Sequence, residues 1–289
     1  MMRRTHRTWI YIFLYTILVV TRFVRGIRKG AADAISLAST EVLNLGAISF
    51  CIVADFSSSG VNREKNTYGN RRLHVLAALV LCVVIIVNLG LNLLEVLDDL
   101  SWLPDKESLW DKKEINMIQA AAGFVGMVLF RNSRGVIVNR AVDINRRGIY
   151  IHALSTFVEA FSTLLISFFT PNQHRMSLLL NVFGALATSI VVILIELPLM
   201  RFILQILLHA TTSEQSISLR KRLVQLSNIP GLRDCEDVHF WTETEGIHIC
   251  TMKIIVARDA DAQSILASAF EIFDDLLDDL TIEVDLERD

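Results

Sequence analysis

The sequence predicts a six-helix transmembrane bundle followed by a small C-terminal α/β domain on the cytosolic side. Composition gives the first reason: 52% of the 289 residues are hydrophobic and mean hydropathy is +0.45, more apolar than an ordinary soluble chain. Distribution gives the second, because the apolar residues fall in six long runs before Thr212. Charge gives the third. From Thr212 onward there are 7 Lys and Arg against 17 Asp and Glu, a net of −10, which leaves +7 for the preceding part of a chain whose total is −3. A basic apolar part suits loops held at an anionic leaflet. An acidic tail is no partner for nucleic acid, and its charge serves solvation or the attraction of cations. The expected domains are residues 1–211 and 212–289.

A helix needs about 20 apolar residues to cross a bilayer. The runs are Trp9–Val24, Ala31–Phe56, Val75–Leu97, Ile115–Phe130, Ile149–Thr170 and Met176–Leu208. The first is short, and the last is long and holds Pro198, which predicts a kink or an extension past the membrane. The N-terminus carries Arg3, Arg4 and Arg7. Arg63, Lys65, Arg71 and Arg72 follow the second run, and Arg131, Arg134, Arg140, Arg146 and Arg147 follow the fourth. Six spans put these on one side with the tail, so the positive-inside rule places both termini in the cytosol. The Trp102–Trp110 loop is then on the far side. The Arg22–Lys29 basic cluster falls against the rule. No cleavable signal peptide is evident after Met1–Arg7.

The tail reads helix, strand, strand, helix, strand. Thr212 with Gln215 forms a capping-box pattern for a helix to Asn228, which Pro230-Gly231 ends. Cys235–Thr242 and Ile247–Ala257 alternate around a Thr244-Glu245-Gly246 turn, and His248, Cys250, Met252, Ile254 and Val256 share one face. Ala260–Leu277 has helical spacing. Leu280, Ile282, Val284 and Leu286 form the inward face of a last strand. This αββαβ order makes a small open sandwich.

Cys51, Cys82, Cys235 and Cys250 form no CxxC pair and read as reduced thiols. No P-loop, GxSxG or HExxH pattern occurs, so no enzyme is expected. Ionisable groups inside spans are functional candidates, because burying them is costly. They are Glu41 with Asn44, Asn88 and Asn92 with Glu95, His152 with Glu159, and Asn181 with Glu196. Glu95 and Glu196 fall toward the headgroups. Asn88 and Asn92 lie on one helix face and suit helix–helix hydrogen bonds.

Four stretches carry a resemblance. TYGNRRLHVLAAL with LLEVLDDL, NRRGIYIHAL, VHFWTETEGIH and DLTIEVD resemble, in the same order, conserved segments of the cation diffusion facilitator family of zinc and manganese exporters. The resemblance implies six spans, a metallochaperone-like cytoplasmic domain, a homodimer or a heterodimer with a related transporter, and proton-coupled export of a divalent cation. Zinc or manganese would be the transported ion, and no tightly bound cofactor is implied.

The family's transport site uses two pairs of ligands at i and i+4 on facing helices, enough for a tetrahedral Zn²⁺ site. The matching positions here are Thr40 and Asn44, and His152 and Thr156. His152 alone is a strong ligand, and no carboxylate offsets the metal's charge there. Two alternatives stay open. Glu41 and Glu159 with Asn44 and His152 make a shifted, oxygen-rich set that suits Mn²⁺, or these carboxylates are protonated or paired with Arg22 or Arg25. In the tail, His239 and His248 match the family's cytoplasmic metal positions, with Glu236, Lys253 and Asp279 as neighbours, and packing or hydrogen bonding is the competing role. Two functions are therefore expected: a zinc/proton antiporter, and a non-transporting member that dimerises with or regulates an active relative.

Overall fold

The computed structural model describes residues 2–29, 32–59, 70, 72–102, 107–131, 144–169, 174–211, 213–244 and 246–287. Most of the basic loop after the second expected span, most of that after the fourth, and the tip of the Trp102–Trp110 loop lie outside the described residues, as do Thr212 and Glu245. The chain divides into two compact units, with the boundary inside a helix at Arg201 and Phe202.

The first unit is helical: α1 (Met2–Lys29), α2 (Ala32–Ser59), α3 (Leu73–Trp102), α4 (Glu107–Leu129), α5 (Ile144–Phe169) and the larger part of α6 (His174–Leu207). Among the described residues five segments are long and apolar enough to cross a membrane: His6–Val24, Thr40–Ser57, Leu73–Leu94, Ile144–Phe169 and Leu179–Leu207. The fourth expected span is present as α4, but Asp111, Lys112, Lys113 and Glu114 occupy its first half. Its remaining apolar stretch falls short of the about 20 residues a crossing needs. α6 runs through Pro198 as one helix.

α1 is longer than expected and takes in the basic cluster. Arg22 is therefore no loop residue. Its side chain is about 90% buried and faces Glu41 on α2, so it is not one of the loop charges that the orientation rule counts.

Two glycines set the approach of α4 to α5. A Cβ on Gly123 would stand 2.7 Å from the Phe157 nitrogen and 2.9 Å from the Ala153 carbonyl oxygen. On Gly126 it would stand 2.5 Å from the Tyr11 ring and 2.7 Å from the Ala153 Cβ. Small residues let helix backbones approach in this way. Outward residues such as Phe13, Leu94, Phe183 and Leu194 are large, apolar and exposed, as lipid-facing positions require.

The second unit has the expected order: α7 (Ser213–Ser227), β1 (Leu232–Thr244), β2 (Ile247–Val256), α8 (Ala262–Phe273) and β3 (Asp279–Leu286). The sheet order is β1-β2-β3, with β1 antiparallel and β3 parallel to β2. A parallel neighbour needs a crossover, which α8 supplies. Asp261 caps α8 by accepting from the Gln263 amide at 3.1 Å. Gly231 has φ +90, and a Cβ there would meet the Ala260 Cβ at 2.5 Å, so only glycine fits the turn. The core joins Leu226, Phe240, Cys250, Met252, Ile254, Val256, Ile265, Ala269 and Phe273. All four cysteines are free thiols. Burial pushes the Cys235 thiol up and the Cys250 thiol up to about 12, so both are protonated near neutrality.

β1 starts three residues earlier than expected and is irregular. Its pairing with β2 shifts between Leu232 and Asp234, between Glu236 and His239, and between Thr242 and Thr244. Asp237, inside the second irregularity, has φ +49. Such bulges turn a strand's side chains by one position.

Candidate functional site

The polar groups of the helical unit gather on α1, α2, α3, α4 and α5. From α1 come Tyr11, Tyr15 and Arg22, spaced i, i+4 and i+11 along one face. Tyr11 and Tyr15 are fully buried. The Tyr15 hydroxyl donates to Glu41 Oε2. Arg22 Nη1 pairs with Glu41 Oε1 at 3.1 Å, and Nη2 donates to Gln119 on α4. Both side chains of the ion pair are at most 10% exposed, so the pair sits where an uncompensated charge is expensive.

Asn44 extends the network. Its amide donates to the Tyr15 hydroxyl at 3.1 Å and to Glu41 Oε2 at 3.3 Å, and its carbonyl accepts from Asn88 on α3. Asn88 thus makes the cross-helix bond its position suggested. On α5, His152 Nδ1 lies 3.1 Å from the Tyr11 hydroxyl, and its ring stands 5.3 Å from that of Tyr15. Thr156 donates to the His152 carbonyl at 2.9 Å and is in reach of Tyr11. Glu159 is half-buried beside Asn92, within electrostatic range of Glu41 and Arg22.

Asn44, His152 and Thr156 therefore face one polar region together with Glu41 and Glu159, while Thr40 is half-buried beside Glu41 in sequence. Among the described residues no three His, Cys, Asp or Glu side chains stand close enough to hold a metal ion. Tyrosine rings intervene between His152 and the Glu41 carboxylate, and a guanidinium occupies the carboxylate. The alternative that pairs Glu41 with Arg22 is the arrangement present. Sequence reasoning missed the tyrosines and Gln119. The available signal was the placement of Tyr11, Tyr15 and Arg22 on one face of the first span.

Two further polar features stand apart. At one end of the bundle, the Asn145 amide donates to Asp55 at 3.0 Å and lies 2.9 Å from His74 Nδ1, and His74 and Asp55 are 3.1 Å apart. Glu196, expected toward the headgroups, lies in the described part of α6. It is buried at 1% exposure, with the Cys82 thiol, a weak donor, as its polar neighbour, and neither carboxylate oxygen completes a hydrogen bond. The side chain of Glu95 lies outside the described residues.

The two tail histidines do not converge. His248 pairs with Thr242 on the core side, whereas His239 pairs with Thr251 on the open side of the sheet. Strand side chains alternate faces, so one ion within one chain cannot take both. His248 Nδ1 lies 3.2 Å from the Thr242 hydroxyl and 3.4 Å from the Gln215 amide, which is the hydrogen-bonding role. Burial holds the His248 pKa below its usual value, against the opposing pull of Asp278. Lys253 pairs with Asp285 at 2.9 Å on the open face.

No family model matches the chain. Curated relatives do. Zinc transporter 7 of Homo sapiens is 25% identical over 127 residues, covering 44% of this chain and 33% of that protein. Zinc transporter 6 of Danio rerio is 25% identical over 177 residues, 53% of this chain and 36% of that protein. Metal tolerance protein C2 of Arabidopsis thaliana is 22% identical over 295 residues, 98% of this chain and 72% of that protein. The chain thus spans about a third of the length of the zinc transporter 7 relatives it matches.

Proposed function

We propose that this chain is an integral membrane protein of the cation diffusion facilitator type that moves a divalent cation, zinc, in exchange for protons. The observation that carries the reading is the similarity to metal tolerance protein C2 along 98% of the chain, on a chain with five helices of spanning length and composition. In this proposal α4 completes a six-span bundle, both termini face the cytosol, and the protein works as a dimer. No enzymatic step is assigned to it.

The transport role falls on the polar region between α1, α2, α3 and α5. Glu41 and Glu159 supply negative charge, Asn44 a neutral oxygen, and His152 an imidazole nitrogen. Such a mixed oxygen and nitrogen set accepts zinc or manganese. Arg22 has to leave Glu41 before a cation takes its place, so the guanidinium acts as a resident counter-ion of the empty site. Protons compete with the cation for the same carboxylates.

One observation favours a second reading, a non-transporting dimer partner or regulator of an active relative. The Glu41 carboxylate is already neutralised by Arg22 at 3.1 Å, and Thr40 and Thr156 offer hydroxyls where the family has stronger ligands. Zinc uptake by purified protein in proteoliposomes under a proton gradient separates the two. Uptake by this chain alone that collapses with the gradient supports the antiporter. Uptake only after co-reconstitution with a related transporter supports the partner. Absence of uptake and of any effect on a relative overturns both.

A further inference from the structure

Three helices bring one polar atom each to a single point at one end of the bundle. Asp55 stands near the end of α2, His74 in the first turn of α3 and Asn145 in the first turn of α5. Asn145 Nδ2 lies 3.0 Å from Asp55 Oδ1 and 2.9 Å from His74 Nδ1, and those two atoms are 3.1 Å apart. The three atoms mark a nearly equilateral triangle. Asn145 is fully buried, whereas the His74 and Asp55 side chains are 31% and 18% exposed, so the cluster is reached from outside.

Hydrogen bonding alone does not account for the triangle while Asp55 is ionised. With His74 Nδ1 unprotonated, the ring and the carboxylate oppose two acceptors across 3.1 Å. With Nδ1 protonated, its N–H opposes the Asn145 N–H across 2.9 Å. Either tautomer satisfies two edges and sets like groups against each other on the third. The other end of the same amide is also unmatched: Asn145 Oδ1 is buried and, among the described residues, has no hydrogen-bond partner. A buried acceptor left in that state costs its full desolvation.

Turning the amide over moves Oδ1 into the triangle and points lone pairs from all three groups at one place. The amide nitrogen's contact with the Cys51 carbonyl, 3.4 Å, is given up, but that carbonyl lies within α2, whose helical bonds supply a partner. Ligand atoms at right angles on metal bonds of about 2.1 Å stand about 3.0 Å apart, against about 3.4 Å at a tetrahedral angle. Edges of 2.9, 3.0 and 3.1 Å match one face of an octahedron.

We propose that Asp55, His74 and Asn145 are three facial ligands for one octahedral divalent cation of the Mn²⁺ kind, with water in its other three positions. An oxygen-rich set with one imidazole, open to water on the far side, suits such a cation. One carboxylate makes the site weak and readily exchanging, since affinity follows ligand charge. The site is distinct from the polar region at Glu41 but shares its helices. Asp55 lies 11 residues beyond Asn44 on α2, and Asn145 seven before His152 on α5, about 16 and 10 Å along the axes. Binding there does not depend on whether this chain transports a cation.

The test uses the full chain in detergent, with Mn²⁺ as the probe and electron paramagnetic resonance as the readout. Arg22→Gln with Glu41→Gln is the background, because it removes the paired charges of the other polar region. In that background the chain binds one Mn²⁺, and ¹⁵N-labelled histidine changes the hyperfine pattern of one coordinated nitrogen. Asp55→Asn and His74→Gln each weaken binding by about tenfold or more, a loss that removing even an outer-shell partner can cause. His74→Gln also removes the nitrogen signal. Asn145→Asp, made in the background and in the native chain, adds a second carboxylate and tightens binding, which an amide with a structural role alone would not do. It decides the matter if the other variants fail to fold. No bound Mn²⁺, an all-oxygen shell, binding unchanged by Asp55→Asn and His74→Gln, or no gain from Asn145→Asp would overturn the proposal.

Discussion

Removing the guanidinium from Arg22 exposes what the polar region can hold. Arg22 and Glu41 are 3.1 Å apart, with side chains 10% and 4% exposed. At an effective dielectric of about 20, unit charges at that distance attract by about 5 kcal/mol. Breaking a buried pair from one side commonly costs about 3–5 kcal/mol, because the other charge is left uncompensated. Arg22→Gln keeps much of the side chain's length and leaves Glu41 with the Tyr15 and Asn44 donors alone. The expected outcome is a protein destabilised by about 3 kcal/mol or more, whose lost stability a divalent cation restores. If the cation recovers the full 3–5 kcal/mol, its affinity rises by about a hundred- to a few thousand-fold, at 1.4 kcal/mol per decade. Thermal unfolding of the purified protein reads both effects: a lower Tm without metal and a Tm that climbs with Zn²⁺ or Mn²⁺. Arg22→Gln with Glu41→Gln removes both charges and should regain stability while losing the metal response. If Arg22→Gln unfolds like the native chain and ignores both metals, the ion pair does not control the site.

Three other outcomes follow from the same arrangement of side chains. Asn44→Asp with Thr156→Asp adds two carboxylates beside His152 and should tighten Zn²⁺ binding by about tenfold or more; adding His152→Ala should cancel the gain in a zinc titration. Gly126→Leu drives a side chain into the Tyr11 ring and Ala153, so thermal unfolding should show a loss of about 1–3 kcal/mol or more, with Tyr11 displaced from His152. His248 has a depressed pKa in the folded domain. As pH falls below about 6.5, the unfolded chain takes up a proton that the folded ring resists, so stability present above that pH is lost on acidification. His248→Gln should flatten that part of the stability–pH curve.

The helices were legible because apolar runs of spanning length have few other uses. The order of the tail was legible because Pro230-Gly231 and Gly246 punctuate alternating segments. Boundaries and facing were less so. Arg22 reads as a loop charge in a linear sequence, since only the neighbouring α2 shows that a carboxylate waits at its depth. Tyr11 and Tyr15 carry no charge and drew no notice, yet their hydroxyls connect His152, Glu41 and Asn44. The resemblance groups His239 and His248 as metal positions with Glu236 as a neighbour, whereas the register puts the two histidines on opposite faces of the sheet. The bulge at Asp237 changes the count, and register between strands is set by tertiary pairing that a single strand does not display. Glu196 reads as a headgroup residue in a linear sequence, whereas the structure buries its side chain.

Charge balance inside the bundle leads to a last expectation. Among the described side chains the region holds one guanidinium, Arg22, and two carboxylates, Glu41 and Glu159. Glu159 is half-buried within range of Glu41, and two ionised carboxylates with one arginine would leave a net negative charge in a low-dielectric setting, which is costly. The empty site is then near neutral when Glu159 keeps its proton. Replacing Arg22 by a divalent cation raises the local charge by one, and ionising Glu159 restores neutrality. Each bound Zn²⁺ should therefore release about one proton, readable with a pH indicator in weakly buffered detergent solution. Glu159→Gln should abolish that release and weaken zinc binding, whereas Glu196→Gln, remote from Arg22 along the network, should leave the release intact. Release that is unaffected by Glu159→Gln would place the exchanging proton elsewhere, and the unpartnered Glu196 carboxylate beside Cys82 would become the group to examine.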